Sequence, residues 1–121
     1  MDENQKVLYL TNKMCNRISE MKIDLNVIKN FNPDNKEDFT KVMTAKLDLE
    51  DYLKELHELK ESIEDLNNKI QEDNFILKNI VSNNTTIICN KITEFLGLKA
   101  SIESLINSIK VNKNLIKRQN K

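Results

Sequence analysis

Between Val42 and Ile80, apolar residues return every seven positions in two interleaved rows. One row holds Val42, Leu49, Leu56, Ile63, Ile70 and Leu77; the other holds Ala45, Tyr52, Leu59, Leu66, Asp73 and Ile80. Eleven of these twelve positions are apolar, Asp73 being the exception. Rows at this spacing make one narrow stripe along a helix, the seam of a coiled coil, and exclude a strand, whose side chains alternate with period two. The stripe is too narrow to close a globular core and too long to be left in water. At about 1.5 Å per residue, a helix over 35–81 would run roughly 70 Å. A partner helix of half that length leaves part of it unmet, so the pattern dictates helix-on-helix packing.

The rest of the chain is compatible with long helices. Its 121 residues include one Gly, one Pro and no Trp, with 31% charged and 39% hydrophobic residues, which suits a single helical domain over 1–121. A first helix is expected over 3–29: Val7, Met14, Met21 and Ile28 repeat every seven residues, and Ile18 and Leu25 supply the second row. Asn4 and Thr11 weaken its start, and the methionines make it adaptable. Pro33 then interrupts helix in a loop over 30–34. Asp34, with Glu37 three residues on, reads as the N-cap of the long helix over 35–81.

At VSNNTTIICN the pattern slips. Extending the two rows reaches Asn84, and Ile87 followed by Glu94, whereas Ile88, Phe95, Ile102, Ile109 and Ile116 continue with Ile92 and Ile106 beside them. The expected break is 82–86. A tight reversing loop is favoured there, because Ser, Asn and Thr in a row make a poor helix interior. A skip in one continuous helix is the alternative, since the stretch has no Gly or Pro. A third helix follows over 87–117, with Gly97 allowing either a close helix approach or mere drift, and Lys99 and Lys113 at seam positions. The expected fold is all-α, an elongated three-helix coiled-coil or helical-hairpin bundle.

The net charge of zero hides an asymmetry: residues 34–73 carry thirteen acids and six bases, and residues 74–121 eight bases and two acids. Segments of opposite sign can dock within or between chains. Glu50, Glu55, Glu58, Glu61, Glu64 and Asp65 give the long helix an acidic surface, with Lys54 and Lys60 placed for intrahelical pairs. The tail KVNKNLIKRQNK offers Lys110, Lys113, Lys117, Arg118 and Lys121 to an anionic partner, though it has no aromatic residue for base stacking.

Little else carries chemistry. The one histidine, His57, falls beside the seam and is expected to face solvent; Cys15 and Cys89 each follow a seam residue and read as half-buried packing groups. One Gly excludes a Gly-rich phosphate loop. No catalytic, metal or cofactor site is expected, and no small-molecule substrate. No apolar run approaches the roughly 18 residues a membrane span needs. The start MDENQKVLYL does not read as a secretory signal. A soluble cytoplasmic or nuclear protein without membrane insertion, its cysteines reduced, is the expectation.

The stretch LTNKMCNRISEMKIDL, Leu10 to Leu25, resembles the first helix of the small coiled-coil core subunits of the Ska complex at kinetochores. The polar loop with Pro33 and the longer acidic helix after it are similar to that family's layout. The resemblance covers about the first two-thirds of the chain and carries over no functional residue. It implies helical partner subunits, contact with microtubules through the assembled complex, and a location at the spindle or kinetochore. The residues themselves point to a non-enzymatic scaffold, homo- or hetero-oligomeric. Its seam would be Ile18, Met21, Leu25, Leu49, Tyr52, Leu56, Leu59, Ile63, Leu66, Ile70, Leu77, Ile88, Phe95, Ile102 and Ile109. A subunit of a membrane-trafficking tether and a direct binder of an anionic polymer are the alternatives.

Overall fold

A computed structural model describes residues 2–119, with side chains described through Ile109. The described residues form four helices in the order α1 Glu3–Glu20, α2 Leu25–Lys29, α3 Lys36–Lys69 and α4 Phe75–Gln119, and no strand. The chain is all-α, with boundaries that differ from the heptad reading in three places.

The helix expected over 3–29 is two helices. α1 opens with a reciprocal cap: the Gln5 N–H donates to Asp2 Oδ1 at 2.8 Å, and the Asp2 N–H donates to Gln5 Oε1 at 3.1 Å. It closes at Met21, whose N–H reaches the Arg17 and Ile18 carbonyls. The chain leaves helix over 21–24 because the Asp24 carboxylate takes the Asn26 N–H at 3.0 Å and starts α2 anew. At the start of α3 the capping side chain is Asn35, whose Oδ1 accepts the Glu37 N–H at 2.9 Å. Asp34, the expected cap, instead donates its own N–H to Asn32 Oδ1 at 3.0 Å.

The largest correction concerns the reversal. α3 stops at Lys69, and the turn falls at 70–74, not at 82–86. Asn74 accepts the Leu77 N–H at 3.3 Å and so caps α4, while Lys78 Nζ donates to the Asn67 carbonyl at 2.7 Å and satisfies an orphan acceptor at the end of α3. Residues 82–86 lie inside α4, so the separate helix over 87–117 is the continuation of one 45-residue helix. The hydroxyls that argued against helix are accommodated by bonding back one turn: Thr85 Oγ1 donates to the Val81 carbonyl at 2.9 Å and Thr86 Oγ1 to the Ser82 carbonyl at 3.1 Å.

Val81, Ile88, Phe95, Ile102 and Ile109 are buried and follow one another by seven, so this row needs no break. The companion row, Leu77 and Asn84, resumes one residue later at Ile92 and Ile106, which makes the slip a one-residue skip inside a continuous helix.

The chain divides into two compact units, to both of which α3 and α4 contribute. The first contains the stretch up to Lys22 with Asp51–Glu94, bringing α1 against the second part of α3 and the first part of α4. Val7, Met14, Met21, Leu56, Ile63, Leu77, Val81 and Ile88 are among its buried residues. The second contains Ile23–Glu50 and the chain from Phe95 onward. Val42, Leu49, Phe95, Ile102 and Ile109 are buried there, whereas α2 contributes no buried residue. Gly97 has nothing within 4 Å of the position a Cβ would take, so no close helix approach depends on it.

Candidate interaction face

In the first unit, α1 is fixed by two polar contacts as well as by its buried Val7 and Met14. Towards α4, Asn84 Nδ2 donates to Thr11 Oγ1 at 2.8 Å, and the Thr11 hydroxyl donates to the Val7 carbonyl at 2.7 Å. Asn84 is 5% exposed, and without this partner its amide would be left unsatisfied at a cost of about 1–3 kcal/mol. Both residues read in the sequence as flaws in a seam; together they set the register of α1 on α4. Towards α3, Arg17 grips Glu55 with two bonds, Nε to Oε1 at 2.6 Å and Nη2 to Oε2 at 2.8 Å, and Nη1 also meets Glu20. The hydrogen bonds from Arg17 hold the Glu55 carboxyl below its ordinary range; partial burial opposes this, and the charges of Arg17 and Lys13 add to it. The same contact raises the Arg17 guanidinium further above its ordinary value. The pair is about one-third exposed, so solvent screens much of it.

These two contacts place α1 with α3 on one flank and α4 on the other. On the α3 flank lies an open groove of about 330 Å³ lined by Lys6, Tyr9, Leu10, Ser62, Asp65, Leu66 and Lys69.

The α4 flank is different. Residues three or four apart share a helix face, so Leu8 and Cys15 stand one turn either side of Thr11, and Ile80 and Ile87 one turn either side of Asn84. Ile76 extends the α4 row by another turn. Leu8 is 61% exposed, Ile76 77% and Ile87 46%, with Ile80 half-buried. α4 therefore carries two apolar rows, one in the core and one along its junction with α1. Around Ile80 and Ile87 the helix is uncharged, residues 79–90 including no acid or base, while Lys78 lies beside Ile76 and Ile80. The outer surface of α3, by contrast, presents Asp51, Glu58, Glu61 and Asp65, all exposed.

Of the residues expected to form an assembly seam, Met21, Leu49, Leu56, Leu59, Ile63, Leu66, Ile70, Leu77, Ile88, Phe95, Ile102 and Ile109 are buried within the single chain. Ile18 and Tyr52 are half-buried, and Leu25, 45% exposed, stands at the start of α2 rather than in a seam. Ile80, placed in the seam by the seven-residue rule, is displaced to the outer row because the turn at 70–74 resets the count to Val81. Cys15 is exposed rather than half-buried, Cys89 is half-buried, and His57 is exposed. Lys99, at an expected seam position, pairs with Glu103 at 3.8 Å. Lys60 meets Glu64 at 3.7 Å and Lys46 meets Glu50 at 3.9 Å, while Lys54 makes no ion pair among the described residues.

The side chains of Lys110, Lys113, Ile116, Lys117, Arg118 and Lys121 lie outside the described residues. Among the described residues no group of three or more His, Cys, Asp or Glu could hold a metal ion, and no helix is long and apolar enough to cross a membrane. Comparison with protein-family models, with curated proteins and with solved structures yields no match.

Proposed function

We propose that this protein is a non-enzymatic helical scaffold, a three-helix coiled-coil bundle that recognises other helices along the α1–α4 junction. The observation that carries this reading is the second apolar row of α4, Ile76, Ile80 and Ile87, which remains accessible with Leu8 after the chain has buried its own seams. An apolar row at helical spacing is the complement of a partner helix laid alongside it. The expected multi-subunit assembly is thus retained, with its contact moved from the seams to this face. The Ska-like layout makes kinetochore complexes the first class of assembly in which to look for such partners.

The test is the native mass of the complex formed by the full chain in its cell of origin. The expected result is a mass above the 14.2 kDa of one chain. An Ile80→Glu, Ile87→Glu variant should lose that mass while keeping its far-ultraviolet helix signal, and His57→Ala should change nothing. A complex that survives the paired Glu substitutions, or an activity lost with His57→Ala at unchanged mass, would overturn the reading.

A further inference from the structure

We infer that the partner seated on the α1–α4 face is a second copy of this chain, packed face to face about a two-fold axis. This deepens the proposed scaffold role and rests on it.

Charge selects the partner. A two-fold interface sets the same surface against itself, so a patch of one sign meets that sign again. The exposed α3 surface, where Asp51, Glu58, Glu61 and Asp65 outnumber Lys54, would set net negative charge against net negative charge, an unfavourable juxtaposition. The α1–α4 face avoids this. Its apolar residues are Leu8, Ile76, Ile80 and Ile87, and the α4 stretch that carries Ile80 and Ile87, residues 79–90, has no charge in a chain that is 31% charged as a whole.

The polar residues beside that row also suit self-association. Asn4, Asn12 and Asn83 are exposed on or next to it. A carboxamide both donates and accepts, so an Asn side chain is satisfied by the same residue type on another copy. A Lys or a Glu has no such self-complement. Apolar contact with Asn pairing therefore fits a second copy better than a partner selected by charge.

The size of the face sets the strength. Ile76 to Ile87 spans about 17 Å of helix, and a patch that short belongs with the small, transient interfaces below about 1,200 Å² in total. The dimer is accordingly weak and concentration-dependent, and α1, α3 and α4 stay folded when it dissociates.

Light scattering of the purified full chain across a concentration series, beside circular dichroism, tests this. The mass should climb from 14.2 kDa towards twice that value as concentration rises. A Leu8→Glu, Ile87→Glu variant should stay at the single-chain mass with its helix signal intact; both side chains are exposed, so the changes do not enter the core. Glu61→Gln, on the opposite surface, should associate like the wild type. A wild type that keeps one-chain mass throughout, a mass that climbs past two chains, or a Leu8→Glu, Ile87→Glu variant that still dimerises would overturn the inference. One-chain mass with a heteromeric complex still lost in the Ile80→Glu, Ile87→Glu variant would remove the second copy alone, leaving the scaffold reading in place.

Discussion

Three positions show how single residues bear on the stability of this fold. Asn84 would be an unfavourable burial if α1 were absent; its amide is satisfied by Thr11 Oγ1 at 2.8 Å. Thr11→Val should cost about 1–3 kcal/mol by orphaning that amide, whereas Thr11→Val with Asn84→Leu should recover much of the loss. Urea unfolding of the two singles and the double would read this coupling, and additive effects would contradict it. Gly97 has open space at its Cβ position, so Gly97→Ala should stabilise the chain by about 1 kcal/mol and raise the unfolding midpoint. Glu55 titrates below its ordinary range because Arg17 hydrogen-bonds its charged form. The unfolded chain then binds this proton more readily than the folded one, so the contact stabilises above the unfolded carboxyl's pKa and is lost as pH falls through the folded value. Wild type and Glu55→Gln should therefore converge in urea midpoint on acidification; parallel curves would show that the pair contributes nothing.

At the scale of elements, helix content and the helix starts at 3 and near 35 were legible in the sequence; the interruption at 21–24 and the turn at 70–74 were not. The rows through Leu49, Leu56 and Ile63 are buried, because a seven-residue repeat is a direct consequence of helix geometry. The turn at 70–74 escaped because Ile70 and Leu77 happen to be seven apart across it, so two helices read as one. The available signals were Asp73, the one polar residue in the rows, and Asn74, a capping residue type placed three before Leu77. Likewise Asp24 ends the first helix by offering its neighbours' backbone a competing carboxylate. The outer α4 face was hidden by the same error: a count carried through 70–74 puts Ile80 in a seam row, whereas with the turn there Val81 takes that place. With the boundary at 70–74, Ile63→Ala near the end of α3 should destabilise by about 2–5 kcal/mol, since the side chain is 1% exposed. Ile87→Ala, at 46% exposure, should change stability little.

For the molecule as a whole, the account separates what folds the chain from what the chain offers to others. Most seam residues are covered by the chain's own helices, and the apolar α1–α4 face lies outside them. Hydrogen exchange with mass-spectrometric readout on the full-length Leu8→Glu, Ile87→Glu variant tests that separation most directly, because the variant has the seams but not the face. Slow exchange in α1 and in the buried stretches of α3 and α4, matching the wild type at low concentration, is the predicted result. Exchange at unfolded-chain rates over 53–66 and 77–92 would mean that the seams need a second chain to form, and would contradict the account.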